Sequence, residues 1–246
     1  MINKRNITAT LAIAAIIASC SVNSSKQNTE ANEGEKQQIE TTKHVSKREI
    51  PVITSFTHLT NIGGIDIEYE QGDYKIVAEG DSSLIQHVTT TFDSNLLTVT
   101  MPYDSNEDIN VYSASDCKVK LYITAPDLQC VSLCGNGSFH QHGVWKQDDI
   151  SLGHLSSSTF SVDTIECTSF KMENSGSGTL SFNHIAGRNV IFFTRGSKGS
   201  LTADVDADTL SISNIGQETL TYSGRYGKKY IDKPTSDKLN DNTLSK

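Results

Sequence analysis

No run of apolar residues in this 246-residue chain reaches the roughly 20 needed to cross a bilayer as a helix. Basic charge is scarce as well. The 21 Lys and Arg residues face 29 Asp and Glu, a formal net charge of −8, which argues against nucleic acid and against anionic lipid as a partner of the protein surface. No stretch shows the period of an amphipathic helix. The Gly-x-Ser-x-Gly elbow of serine hydrolases is absent, and so are the glycine and distant Glu that would complete a calcium loop around Asp204, Asp206 and Asp208.

The N-terminus has the order of a bacterial export signal: Lys4 and Arg5, an apolar stretch from Ile7 to Ile17, then Ile17-Ala18-Ser19-Cys20. Small residues followed by a thiol predict cleavage before Cys20 and acyl chains on its sulfur, so residues 1–19 are read as signal peptide. Their removal takes away two cations and no acid, moving the formal charge from −8 to −10. With acyl chains as its hold, the mature protein is a membrane-anchored lipoprotein of the cell envelope, with the outer membrane as expected location and its face undecided. Residues 20–50 have no aromatic residue and abound in Ser, Asn, Gln, Glu and Lys. They cannot bury enough apolar surface to fold alone and are expected to form a disordered tether, about 30 Å in average reach. Residues 227–246 read as a polar tail, leaving 51–226 as one folded head.

Within the head, apolar and polar residues alternate over short runs, as in Ile65-Asp66-Ile67-Glu68-Tyr69 and Val119-Lys120-Leu121-Tyr122-Ile123, separated by turn residues such as Gly72-Asp73. Period-two patterning predicts half-buried strands. From about residue 130 to 224 the pattern repeats. Val131, Leu152, Met172, Phe193 and Ile212 stack at intervals of 21, 20, 21 and 19 residues, each followed eight residues later by Phe139, Phe160, Leu180, Leu201 or Leu220. Further columns hold Val144, Ile165, Ile185 and Val205, and Ile150, Phe170, Val190 and Leu210. Between the first two columns lie turns such as Ser175-Gly176-Ser177-Gly178, where glycine would permit positive φ. A period near 20 with two strand-like runs per unit predicts an all-β protein whose C-terminal half is a β-solenoid. Ser138, Thr159, Thr179, Ser200 and Thr219 precede the second column. Stacked about 4.8 Å apart, their hydroxyls are expected to bond along the stack, with reading of a ligand as the alternative.

The run Ile65 to Asp73, Ile76-Val77-Ala78-Glu79-Gly80, Leu96-Leu97-Thr98-Val99, Ala125-Pro126-Asp127-Leu128, the glycine-centred repeats and the closing Tyr222-Ser223-Gly224 together resemble the head GIN domain family of adhesin-like lipoproteins of gut and related bacteria. The likeness covers about Ile53 to Gly224. It implies a β-helix-like superhelix and an adhesive role. The chain departs from the pattern where Ser156-Ser157-Ser158 and Gly216-Gln217-Glu218 replace glycine turns.

Solenoids also serve as glycan-cleaving enzymes, so acids and bases in columns matter. Column matching aligns His142, Asp163, Asn183 and Asp204, each three residues past the second apolar column. Such a line could hold a cation or a sugar, yet no Lys or Arg joins it, and an outward polar face is the expected reading. His140 and His142 share a strand face without the further ligands zinc requires, so neither metal nor cofactor is expected. Beyond Cys20, the residues Cys117, Cys130, Cys134 and Cys167 allow three pairings. Cys130 and Cys134 would lie about 13 Å apart on an extended run, beyond bonding reach. Most are expected to be small, buried, reduced residues, with Cys117 the first candidate for any bond. The chain therefore reads as a non-enzymatic adhesin-like binding or structural module with a glycan or protein surface as ligand. A carbohydrate-active β-helix enzyme and a periplasmic sensor or scaffold are the rivals.

Overall fold

The computed structural model describes residues 45–101, 119–196, 198–232 and 239–242. The signal segment, Cys20, the tether up to residue 44 and Cys117 lie outside them. The described chain is almost entirely strand. β1 (Val45–Ile50), β2 (His58–Ile62), β3 (Asp66–Gln71), β4 (Lys75–Asp81), a one-turn helix α1 (Ser82–Ile85), β5 (Thr89–Asp93), β6 (Leu96–Thr100), β7 (Lys120–Ala125) and β8 (Cys130–Leu133) come first. Five long strands follow: β9 (Phe139–His154), β10 (Thr159–Asn174), β11 (Thr179–Thr194), β12 (Ser200–Asn214) and β13 (Thr219–Ile231), then the short β14 (Leu239–Asp241).

β9 to β13 stack in parallel, each paired along its length with the next. This is the β-solenoid the repeat predicts. In β10 the inward residues are Phe160, Val162, Ile165, Phe170, Met172 and Asn174. Strict alternation breaks after Val162 and again after Ile165, where the chain turns its corners. Equivalent residues of neighbouring coils fall on one another, as in Phe139, Phe160, Leu180, Leu201 and Leu220, all fully buried. Each such side chain contributes roughly 1.5–3 kcal/mol by leaving water. At the N-terminal end β3 and β7 extend one face of the stack in parallel and β4 and β1 add to it antiparallel, giving the order β1-β4-β7-β3-β9 through β14. β2, β6 and β8 extend a second face, closed by the antiparallel β5.

Four expectations are corrected. Met172 registers with Phe192, not Phe193. Six positions separate Thr194 from Ser200, against five from Asn174 to Thr179, so the extra residue sits in the turn. Phe193 faces outward with the Arg195 guanidinium 4.8 Å from its ring centre. Trp145, not Val144, stacks on Ile165, because β9 has one residue more than β10 at the corner. Gly143 bulges there with φ +72°, leaving Val144 exposed and Trp145 buried with its Nε1–H donated to Leu128 O at 2.8 Å. Gly176 and Gly178 serve close approach rather than positive φ, which among the turn glycines of the repeat falls to Gly199 at +149°. A Cβ on Gly176 or Gly178 would sit 1.9 or 1.7 Å from the carbonyl oxygen of Ser156 or Ser158 on the coil beneath.

The fourth correction concerns the ends of the fold. β1 lies in residues read as tether and pairs with β4 from Val45↔Asp81 to Ile50↔Ile76. Ile50 is buried there, and Arg48 donates to Val88 O at 2.7 Å. β13 runs through Ile231, and β14 pairs beside it where a polar tail was expected. Lys229 Nζ donates to Asp241 at 2.6 Å. Existing sheet edges recruit strands too polar to fold alone, since backbone pairing requires no apolar sequence.

Candidate functional site

The parallel register carries residues far apart in sequence onto one face. Outward side chains of β1, β4, β7, β3 and β9 line a depression of about 800 Å³ that includes Lys47, Lys75, Glu68, Tyr122 and His142. Glu68 is its hub, taking Lys120 Nζ on Oε1 and His142 Nε2 on Oε2, both at 2.7 Å. Partial burial works to raise the Glu68 pKa, and the bonds from Lys120 and His142 outweigh it and hold the carboxyl below its ordinary range. The same bond raises the Lys120 pKa. This chemistry holds a fixed carboxylate and its donors in place. Tyr122 shows its ring on this face, with Lys47 Nζ 5.7 Å from the ring centre and tied at 2.7 Å to Glu79.

The aligned column expected from sequence is distributed among different partners. His142 goes to Glu68. Asp163 accepts from Gly143 N at 3.0 Å and from Asn183 Nδ2 at 3.3 Å, so these two side chains do meet. Asp204 instead binds His184 Nδ1 at 2.9 Å and Ser223 Oγ at 2.7 Å. His184 enters because β12 has one residue fewer than β11 at this corner. Asp206 pairs with Arg225 rather than with its acidic neighbours. Among the described residues no three His, Cys, Asp or Glu converge as metal ligands. Cys130, Cys134 and Cys167 are free thiols. Burial pushes Cys130 up and Cys167 up to about 11, which keeps both protonated and inert.

The hydroxyl column is in register, with Thr159, Thr179, Ser200 and Thr219 on successive strands. Among the described residues these four side chains do not bond along the stack, contrary to the expected ladder. Strands about 4.8 Å apart set equivalent hydroxyls beyond the 2.7–2.8 Å of an O–H···O bond unless both rotate toward each other. Ser138 donates to Asp66 Oδ1 at 2.6 Å instead.

Inside the stack runs a polar column that sequence reasoning missed. His154, Asn174, Thr194 and Asn214 are in register and buried, and Glu218 reaches in beside them. Asn174 accepts from Gly176 N at 2.9 Å, shares a 2.7 Å bond with His154 Nδ1, and donates to Glu218 Oε1. Asn214 donates to Glu218 O at 2.9 Å. Burial raises the Glu218 carboxyl to about 7, with Thr194 and Asn174 opposing. Burial also lowers the His154 pKa against its bonds to Asn174 and Ser158. All five side chains are buried, so the cluster bears on the stability of the coils.

The sequence model of the family described as "Putative auto-transporter adhesin, head GIN domain" matches residues 55–196. No curated protein matches the sequence. Among solved structures, a putative adhesin from Bacteroides fragilis superposes with a TM-score of 0.59 at 16% identity, covering 82% of this chain and 96% of that one. A putative adhesin from Parabacteroides distasonis gives 0.51 at 14% identity, covering 82% and 98%. These likenesses concern the fold.

Proposed function

The chain belongs to the head GIN domain family of putative auto-transporter adhesins, and from that premise we propose that it is a non-enzymatic, adhesin-like module of the cell envelope. Acyl chains on Cys20 hold it to the membrane, a short tether carries the head, and the head contacts a polymeric glycan or protein surface. The observation that carries this reading is the sheet face of β9 to β13, on which equivalent side chains recur strand after strand. A repeating surface favours many weak contacts over one deep site. Tethered copies convert weak contacts into firm attachment through effective concentration.

Two measurements test it. Cys20→Ala should abolish incorporation of labelled fatty acid and move the protein out of the detergent phase; membrane association that persists in the variant refutes the anchor. The chain displayed on beads should adhere to intact cell layers or mucus-coated surfaces far more strongly than the free monomer. Equal retention of both, or glycan hydrolysis that stops on Asp163→Asn or Asp204→Asn, refutes the adhesive reading.

A further inference from the structure

One line of side chains crosses the sheet from the depression to the last full coil. Tyr122 on β7 registers with Glu68, Glu68 with His140, His140 with Ser161, and then come Ser181 and Thr202. Thr221 follows on β13. Seven strands at about 4.8 Å make a track of about 29 Å. Parallel to its solenoid part runs the second line of Thr159, Thr179, Ser200 and Thr219, two residues away along each strand and therefore on the same face about 6.6 Å distant.

The eight Ser and Thr residues of these two rows on β10 to β13 bring no charge and no large apolar group. Among the described residues, seven of their eight hydroxyls have no side-chain partner. The eighth, Thr221 Oγ1, accepts from Asn240 at 3.3 Å. Thr179, Thr202 and Thr219 are exposed and the others half-buried. Hydroxyls that neither bond one another nor cap the backbone remain free to donate and accept outward.

We propose that this track binds a linear, uncharged polysaccharide laid along the solenoid axis, with a sugar ring against Tyr122 in the depression. The inference rests on the adhesive reading and names its ligand class. A periodic row of donors and acceptors matches an extended polymer that is itself periodic and rich in hydroxyls. The track is continuous with the depression, where an aromatic face meets the apolar side of a sugar and the fixed Lys120–Glu68–His142 set supplies directed bonds. Polyanions are disfavoured by the net charge of −8 and by hydroxyl rows that carry no cation. A protein partner would need large buried anchors, which the hydroxyl face does not offer.

The test uses the full chain carrying Cys20→Ala in gels containing linear β-1,4-mannan, β-1,4-xylan or, as acidic control, polygalacturonate. At least one neutral polymer should retard the protein, and polygalacturonate should not. Mannohexaose should bind at least tenfold more weakly than polymeric mannan. Thr179→Val with Thr202→Val, which keeps shape and strand preference while removing two rungs, should weaken retention about tenfold, and Tyr122→Ala should do so separately. Unchanged circular dichroism and melting temperature establish that the variants are folded. No retardation by either neutral polymer, retardation unchanged in the Val variant, or strongest retardation by polygalacturonate overturns the proposal. Bead adhesion that neither mannan nor xylan competes also overturns it, while leaving the adhesive reading standing. Retardation by a neutral polymer without bead adhesion supports the track and removes the adhesive reading.

Discussion

Glu218 is a carboxyl placed where water does not reach, and its cost to the fold can be switched by pH. Its side chain is fully buried, and Oε1 takes the Asn174 amide. Burial carries its pKa from the ordinary 4.5 to about 7. A carboxyl whose folded pKa is raised favours the native state while protonated. Its contribution is therefore fully present below pH 4.5, declines as pH rises, and is gone above pH 7. The full displacement corresponds to about 3 kcal/mol. Glu218 lies just before β13, beyond which only the short β14 follows among the described residues, and opening of this end coil reduces the expected effect to about 1–3 kcal/mol. His154 runs the other way. Its lowered pKa makes its contribution complete above the ordinary 6.5 and lost as pH falls. The two slopes overlap, so the wild-type profile alone does not isolate either. The informative quantity is the difference between wild type and Glu218→Gln, measured by urea denaturation at intervals from pH 4.5 to 8. Relative to wild type, the Gln variant should gain about 1–3 kcal/mol across that range. Amide exchange in Thr219–Ile231 should slow in parallel, since the end coil opens most readily. A difference that stays flat across the range refutes this account.

Met172, fully buried between Leu152 and Phe192, should not tolerate Asp; the variant leaves an unpaired charge in the stack and should lose its cooperative melting transition. Gly178→Ala should cost several kcal/mol, because its Cβ would overlap the Ser158 carbonyl oxygen. Gly143→Ala meets nothing within 4 Å and should cost only about 1 kcal/mol for its positive φ, a contrast read by comparing denaturation midpoints. Trp145→Phe removes the bond to Leu128 O and should destabilise by about 1–3 kcal/mol in the same assay.

The solenoid was legible because its coils repeat the same inward residues, and Ile150, Phe170, Val190 and Leu210 fall where the period puts them. The errors in the column alignment are single-residue ones. A column reading cannot distinguish an extra residue in a turn, as between Thr194 and Ser200, from one at a corner, as at Gly143. Each displaced one column by one position, exchanging Phe192 for Phe193 and Trp145 for Val144, and a third such residue, at the corner of β11 against β12, hid the approach of His184 to Asp204. The depression was not legible at all. Glu68 lies 52 residues from Lys120 and 74 from His142, and no local pattern links β3, β7 and β9. The turn at Gly216-Gln217-Glu218 stood out as a departure from glycine, yet only packing decides that its acid turns inward.

The ends of the sheet explain why the regular coils sit between less regular neighbours. A parallel stack offers its next strand an open edge, and such edges recruit other chains. At the N-terminal side the direction reverses: β4 and β1 continue one face antiparallel, and β5 closes another. Lys47 on the outermost strand β1 is tied to Glu79, which places charge beside that edge. At the C-terminal side β14 covers only Leu220 to Tyr222, and the rest of β13 carries Lys228 and Lys229. Lys229 is bound to Asp241. Both borders are thus strands too polar or too short to continue the pattern, while the hydroxyl rows occupy the regular coils between them. The sequence tolerates polar, free hydroxyls on that face because backbone pairing and the inward columns hold the coils together. The two hydroxyl rows are thereby released from bonding within the fold, while the acids beside them tie neighbouring coils together.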